Sequence, residues 1–301
     1  MSAPAHPPSP AKSTPVSVII LLTLSGCLAS TFIFSVMALD GFAPMAVGAA
    51  RMVIGGIFLA ILTFVLGHGL VRSRREWGFV AVYGLGCLLT PFLITPWVAQ
   101  YLSTTTIALY YAVIPLEVLV LSRLFLKTEI SLRKWMGFCV GTMGVVVLAV
   151  SGGNTGMVPM GPPLEWPFLP HLGAIIAALF LASGAVLIQA MPRMSPMAMT
   201  SSALLCGSAV ALPLLVFSAP STMPSQMAIM GALGTGVIAT GLGLLLRTIL
   251  IKRENAVFTA TNGYIVPLFV GAMGVAFLGE TIVASDVLAY LIIVSGLIIA
   301  R

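Results

Sequence analysis

The chain alternates between long apolar runs and short polar gaps along almost its whole length. Each run has about 20 residues, the length that a helix needs to cross the hydrocarbon core of a bilayer. The first run is too long for the core of a signal peptide, so we expect it to remain as a helix. The pattern predicts ten transmembrane helices, at residues 16–38, 43–66, 77–98, 104–126, 132–151, 171–191, 197–218, 225–247, 256–278 and 283–300.

Composition agrees with a protein that is solvated mainly by lipid. Of the 301 residues, 59% are hydrophobic and only 7% are charged, against about 25% charged in an ordinary soluble domain. The sequence therefore predicts an all-α integral membrane protein whose main partner is the lipid bilayer. The net charge of +6 does not indicate a nucleic-acid partner, because the bases lie in the gaps between apolar runs.

Several landmarks recur half a chain apart. Pro44-Met45-Ala46 recurs as Pro196-Met197-Ala198, an offset of 152, and Pro115 recurs as Pro267 at the same offset. The spacing is kept to within one residue by two further pairs, Ala29-Ser30 with Ala182-Ser183 and Glu129 with Glu280. Matches in the same order at one spacing indicate an internal duplication.

The duplication divides the chain into two repeats of five helices. We expect a disordered cytoplasmic tail at 1–15, a first repeat at 16–151, an outward-facing linker at 152–170 and a second repeat at 171–301. Because five is an odd number, the second repeat runs upside down relative to the first. Inverted repeats suit alternating access, since they provide two similar conformations that open to opposite faces.

Lysine and arginine set the predicted orientation. With the N-terminus in the cytoplasm, eleven of the fourteen basic residues fall in cytoplasmic segments, as the positive-inside rule requires. They are Lys12, Arg72, Arg74, Arg75, Lys127, Arg133, Lys134, Arg193, Lys252, Arg253 and Arg301. Both termini are then cytoplasmic, and the 152–170 linker faces outward.

The doubled landmarks carry a resemblance to a known family. A proline, an apolar run, a glutamate and then a glycine-rich helix follow one another from Pro115 through Glu129 to Gly137. The same order recurs from Pro267 through Phe277-Leu278-Gly279-Glu280 to Gly296. This pattern resembles the EamA-type repeat of the drug/metabolite transporter superfamily, as do Ala29-Ser30 in the first span and Pro44 followed by Arg51 in the second.

The resemblance covers about residues 16–300 and is strongest to ten-span bacterial exporters of amino acids and related metabolites, including aromatic amino acids. It implies a multi-pass protein of the bacterial inner membrane that exports small molecules without a cofactor. The first span lacks the acidic residue of the four-span multidrug branch, and the interior lacks the several basic residues expected for sugar-phosphate antiport. A multidrug carrier or a carrier of another metabolite is the alternative within the family.

Two charged residues lie deep inside predicted spans, where each costs a few kcal/mol. Glu117, two residues after Pro115, is either a proton or cation site facing a cavity or a structural acid. Arg51 lies seven residues after Pro44, about 10 Å along the helix. It either attracts a carboxylate or anchors helix ends, and the resemblance favours the second role. Arg123 and Arg247 are expected to snorkel to the cytoplasmic face.

Proline breaks and polar aromatic residues define the predicted substrate cavity. Pro115 and Pro267 are expected to act as hinges or site-shaping kinks, or else only as packing kinks. The side chains expected to line the cavity are Tyr83, Trp97, Tyr110, Tyr111, Asn262, Tyr264, Ser30, Ser183 and Gln189. Trp97 also fits the interfacial belt of a membrane protein. Such a lining suits a neutral or zwitterionic solute with an apolar side chain.

Other classes of function have less support in the sequence. There is no GxxxxGK[ST] phosphate loop and no protease or transferase motif, so we predict that the chain is not an enzyme. The cysteines and histidines lack metal-ligand spacing, and no metal site is predicted. An open channel is disfavoured by the inverted repeat and by the absence of charged rings. The sequence leaves the oligomeric state open, a monomer included.

The orientation is directly testable. Single cysteines placed in the 152–170 linker should react with impermeant thiol reagents added outside intact cells. Cysteines between Arg72 and Arg75 should react only after the membrane is permeabilised. The reverse labelling pattern would contradict the orientation and the positive-inside argument together.

Overall fold

The computed structural model describes residues 14–98, 100–102, 107, 110–111, 113–151, 165–192, 194–220, 222–278 and 284–300. All regular elements in these ranges are helical. Most of the predicted tail (1–15) and linker (152–170) lies outside the described residues, as does Glu280.

The helices are numbered here in chain order. They are α1 (Pro15–Leu39), α2 (Pro44–Val65), α3 (Arg74–Val98), α4 (Ile114–Leu126), α5 (Leu132–Ser151), α6 (Leu169–Ala190), α7 (Pro196–Phe217), α8 (Gln226–Arg253), α9 (Ala256–Ala260), α10 (Asn262–Leu278) and α11 (Ala284–Ala300). Six of them, α1, α2, α3, α6, α7 and α8, are long and apolar enough to cross a membrane. The crossing of a bilayer by ten helices stays a prediction.

Prolines and short polar side chains mark where helices begin. Pro15, Pro44, Pro170 and Pro196 occupy the first or second position of their helices, where a missing backbone N–H costs nothing. Ser73 starts α3 with a capping box, in which its hydroxyl accepts from the Glu76 N–H and the Glu76 carboxylate accepts from the Ser73 N–H. These starts agree closely with the predicted spans.

Two helices widen into a π-helix at equivalent places. The wide turns are Val82–Leu89 in α3 and Thr235–Leu242 in α8, both of eight residues. Their first residues are 153 apart, within one residue of the repeat spacing of 152 found in the sequence. π-helical insertions redirect the side chains that follow them and are frequent at functional sites.

The main contacts between the two repeats join helices that the duplication makes equivalent. The central contacts join α2 to α7 and α5 to α11, each helix against its own repeat equivalent. A Cβ atom added at Gly55 would lie 2.8 Å from the carbonyl oxygen of Gly236, and one added at Gly207 would lie 3.1 Å from that of Gly84. Adding 152 to Gly55 and Gly84 gives Gly207 and Gly236, so the two contacts are related by the repeat. The structure thus has two-fold pseudosymmetry between the repeats.

Polar contacts define the two ends of the bundle. At one end, which we call the basic end, Arg253 Nε donates to Ser17 Oγ at 3.1 Å and Lys252 Nζ donates to the Met191 carbonyl at 2.9 Å. Ser17 also donates to the Glu254 carboxylate, so α1 is held against the end of α8. At the opposite end, Ser225 Oγ donates to Asp40 Oδ2 at 2.9 Å.

The glycine contacts predict a specific loss of stability. In Gly84→Ala the new Cβ would lie 2.1 Å from the Ala203 carbonyl oxygen, so α3 and α7 must separate, at a cost of about 1–3 kcal/mol. Thermal unfolding in detergent should therefore show a clearly lower midpoint. Gly78→Ala is the matched control in the same helix, because nothing lies within 4 Å of its added Cβ. Equal stability of the two variants would contradict the packing described.

Candidate functional site

Arg51 stands at the centre of a polar cluster contributed by both repeats. Its Nε donates to Thr240 Oγ1 in the π-helical turn of α8 at 3.1 Å, and its Cζ lies 4.1 Å from the centroid of the Phe92 ring in α3. The Tyr111 hydroxyl is near enough to interact with it electrostatically. No carboxylate among the described residues pairs with Arg51. Arg51 is thus half-buried, its guanidinium is held by Thr240, and no described residue supplies a counter-ion.

Phe92 of α3 lies beside this arginine, and Tyr111 approaches it from the segment before α4. Pro96 has no N–H for the Phe92 carbonyl, which is left free, and Gly48 of α2 lies against that carbonyl. A Cβ added at Gly48 would be 2.2 Å from the carbonyl oxygen. The Tyr111 and Thr95 hydroxyls are hydrogen-bonded to each other, and Thr95 also donates to the Pro91 carbonyl at 2.6 Å.

Arg247 differs from the sequence-based expectation. We predicted that it snorkels to the cytoplasmic face, but its Nη2 donates to the Leu181 carbonyl in the interior of α6 at 2.8 Å. The Tyr83 hydroxyl, fully buried, interacts with it electrostatically and has no hydrogen-bond partner among the described residues. Arg247 thus turns inward because a backbone carbonyl in the interior of α6 accepts its hydrogen bond. Sequence reasoning missed this residue as a candidate site.

Glu117 lies in the first turn of α4 and is half-buried. Its Oε2 is buried without a hydrogen-bond partner among the described residues. The helix begins at Ile114, so Pro115 is at its start and not in the middle of a continuous span. The second repeat also has a break, at Thr261 between α9 and α10. Both breaks precede the predicted hinge prolines, Pro115 and Pro267; whether they bend during function stays a prediction.

Two of the predicted cavity residues have packing roles in this conformation. Tyr264 is only 1% exposed; its hydroxyl donates to the Phe138 carbonyl at 2.8 Å and is hydrogen-bonded to Thr142 Oγ1 at 3.0 Å, which joins α10 to α5. Gln189 Oε1 accepts from the Ala256 N–H at 2.7 Å and caps α9. Neither side chain lies in the Arg51 cluster.

The remaining aromatic residues gather at the end opposite the basic end. The Tyr110 hydroxyl is hydrogen-bonded to His171 Nδ1 at 2.9 Å, linking the segment before α4 to the start of α6. Trp97 packs against Tyr101, with ring centroids 5.3 Å apart, and against Gly173. Sequence reasoning missed His171, because an isolated histidine at a helix start carries no pattern.

Ser30 lies on a separate, mostly apolar groove of about 500 Å³ between α1, α8 and α10, formed with Phe34, Ile238 and Phe269. Its hydroxyl donates to the Cys27 carbonyl at 2.7 Å. Ser183 and Asn262 are half-buried, and neither belongs to the Arg51 cluster. Among the predicted lining residues, Tyr111 thus lies beside Arg51, and the others lie at separate places in the bundle. No group of metal-ligating side chains occurs within the described ranges.

Comparison with known proteins places this architecture in a family. The model of the EamA-like transporter family matches residues 16–150 and, a second time, residues 169–301. The chain belongs to the EamA-like transporter family. Members of this family are membrane transporters of small substrates and not enzymes, so the chain is a multi-pass membrane transporter.

A solved crystal structure, described only as that of a protein, has the same fold as this EamA-like chain. Its TM-score is 0.81 over 96% of this chain and 97% of the other, with 18% sequence identity. At that identity the likeness carries the fold alone. The comparison with curated proteins gives no match.

The two roles considered for Arg51 predict different behaviour of Arg51→Met. A charge inside the bundle that pairs with no described carboxylate destabilises the fold, so an apolar side chain of similar length should keep or raise the thermal midpoint. If Arg51 attracts a substrate carboxylate, flux of a carboxylate with an apolar side chain, such as L-phenylalanine, into proteoliposomes should fall at least about tenfold, since the hydrogen bonds lost involve a charged group. Arg123→Met, at an exposed position of α4, is the control. A lower midpoint with normal flux per folded molecule would identify Arg51 as an anchor.

Proposed function

We propose that this EamA-like transporter is a secondary carrier that exports small metabolites, above all amino acids with aromatic or other apolar side chains. It works by alternating access in a bacterial inner membrane, with both termini in the cytoplasm. The observation that carries the substrate proposal is the Arg51 cluster. A guanidinium without a counter-ion suits a carboxylate, and Phe92 and Tyr111 provide adjacent aromatic surface.

Alternating access is supported by the symmetry of the packing. Gly55 with Gly236 and Gly207 with Gly84 form equivalent contacts in the two halves. The residues around them are not equivalent, because the repeat places Ala203 opposite Arg51. The two repeats therefore share one backbone arrangement but carry different side chains. Such an arrangement allows the carrier two conformations of similar energy, which open to opposite faces of the membrane.

The function is tested by exchange in proteoliposomes that contain the purified chain. A carrier should give saturable uptake of labelled L-phenylalanine, and unlabelled L-phenylalanine inside should accelerate it by counterflow. A pore would give uptake that does not saturate, and an enzyme would release an altered product. A panel of other amino acids, nucleosides and cationic drugs ranks the substrates, and failure of every amino acid would contradict the proposal.

A carrier of cationic drugs is the second candidate. It is favoured by Glu117, whose Oε2 is buried and has no hydrogen-bond partner among the described residues. An unpaired carboxylate attracts a cation, whereas the Arg51 cluster attracts an anion. Saturable counterflow of a cationic drug without exchange of any amino acid would favour this candidate.

Glu117 also predicts how transport is energised. If proton coupling runs through a carboxylate in the bundle, Glu117→Gln should keep counterflow and lose accumulation driven by a pH gradient, because glutamine preserves shape but cannot titrate. Glu129→Gln is the control, since Glu129 is exposed beyond the end of α4. Both activities are measured in the same proteoliposomes. Gradient-driven accumulation by Glu117→Gln at the wild-type level would make Glu117 a structural acid and the carrier a facilitator.

A further inference from the structure

The repeat places a second arginine opposite the Arg51 cluster. Thr95 belongs to that cluster through its hydrogen bond to Tyr111, and the residue 152 positions later is Arg247. The counterpart of Arg51 itself is Ala203, and Gly84, next to Tyr83, packs directly against the Ala203 carbonyl. Arg247 and Tyr83 therefore occupy, on the other side of the pseudosymmetry axis, the region equivalent to the Arg51 cluster.

Most N–H groups of the Arg247 guanidinium have no hydrogen-bond acceptor among the described residues. Its guanidinium makes one hydrogen bond within the described part of the chain, to the Leu181 carbonyl, out of the five N–H groups that an arginine carries. It lies six residues before the end of α8, about 9 Å along the helix, yet it reaches inward and not to the water beyond Arg253. A charge held inside a membrane bundle is costly and is typical of a substrate path.

The Tyr83 hydroxyl is an independent indication of a ligand. It is completely buried, lacks a hydrogen-bond partner among the described residues and lies near enough to Arg247 to interact with its charge. Leaving a buried hydroxyl unpaired costs about 1–3 kcal/mol, and tyrosine lends itself to binding because its O–H donates to an anion. Arg247 and Tyr83 together therefore have several hydrogen-bond donors that no described carboxylate accepts.

We propose that Arg247 and Tyr83 form a second carboxylate site, entered from the basic end, and that Arg51 and its neighbours form the site entered from the opposite end. The substrate carboxylate passes from one guanidinium to the other as the carrier changes conformation. A single guanidinium with one phenol matches a planar, singly charged carboxylate better than a phosphate dianion, which needs more positive charge. This inference rests on the proposed function and specifies its substrate class as carboxylates.

The two sites make a prediction that depends on the face of the membrane. L-phenylalanine and phenethylamine differ only by the carboxylate, so their relative potency as inhibitors of labelled L-phenylalanine exchange measures carboxylate recognition. Each is applied to one face of uniformly oriented proteoliposomes. The wild-type chain should prefer L-phenylalanine at both faces, by about tenfold or more for a charge-assisted hydrogen bond.

Arg247→Gln should abolish this preference at the basic face and keep it at the opposite face, whereas Arg51→Gln should do the reverse. Arg123→Gln, at an exposed position of α4, should leave both faces unchanged. Retention of the preference by Arg247→Gln at the basic face would overturn the inference, as would equal loss at both faces. Absence of amino-acid exchange by the wild-type chain would instead remove the proposed function.

Tyr83→Phe provides a test that does not depend on the folding of an arginine variant. It removes a hydroxyl that has no described partner, so the thermal midpoint should stay the same or rise. The preference for L-phenylalanine should fall about threefold, at the basic face only, for the loss of one hydrogen bond. A lower midpoint with an unchanged preference would assign Tyr83 to packing and contradict its place in the site.

Discussion

The structure depends on the close approach of backbones where the two repeats meet. Inside a bilayer there is little hydrophobic drive to bring helices together, because lipid tails are as apolar as leucine, so tight packing of small residues has to do so. Gly55 and Gly207 lie against carbonyl oxygens of α8 and α3, and Gly144 and Gly296 provide the equivalent contacts between α5 and α11. Ser208 adds a 2.9 Å hydrogen bond to the Met52 carbonyl across the α2–α7 contact.

These contacts also govern where the charged groups lie. The π-helical turns of α3 and α8 carry Tyr83 and Thr240, which face Arg247 and Arg51 respectively. Since the backbones are nearly equivalent, the difference between the two sides comes from side chains alone. In the proposed mechanism this difference allows one substrate to bind at two distinct sites, which lie on helices related by the pseudosymmetry. The cost of half-burying two arginines that pair with no described carboxylate is then offset by glycine-mediated packing elsewhere.

Much of the fold follows from the sequence because lipid imposes a simple rule on helix length and polarity. The predicted spans agree with α1, α2, α6 and α7 to within about two residues. Pro44 marks the start of α2, and Pro196 marks the start of α7. The fourth and ninth spans were predicted as continuous, whereas the helices begin anew at Ile114 and Asn262. An apolar run shows that a segment lies in lipid, but not where its backbone breaks.

The site was harder to predict because a side chain's role depends on which helices surround it. Tyr264 and Tyr83 were assigned together to a cavity, yet one bonds to a carbonyl of α5 and the other faces Arg247. Arg247 was expected at the water interface from its distance to the helix end alone. Its actual direction depends on Leu181, a residue 66 positions away. Such long-range partners leave no periodic signal in one sequence.

We propose that the repeats exchange conformations about the α2–α7 contact. This exchange is tested by distances between spin labels on Val65 and Ser195 at the basic end and on Ala43 and Phe217 at the opposite end. All four positions are exposed. Adding 152 to Ala43 and Val65 gives Ser195 and Phe217, so the repeat interchanges the two labelled pairs. Added substrate should change the two distances in opposite directions, so that one end closes as the other opens. Distances that stay fixed during transport, or that increase together, would contradict an exchange of conformations between the repeats.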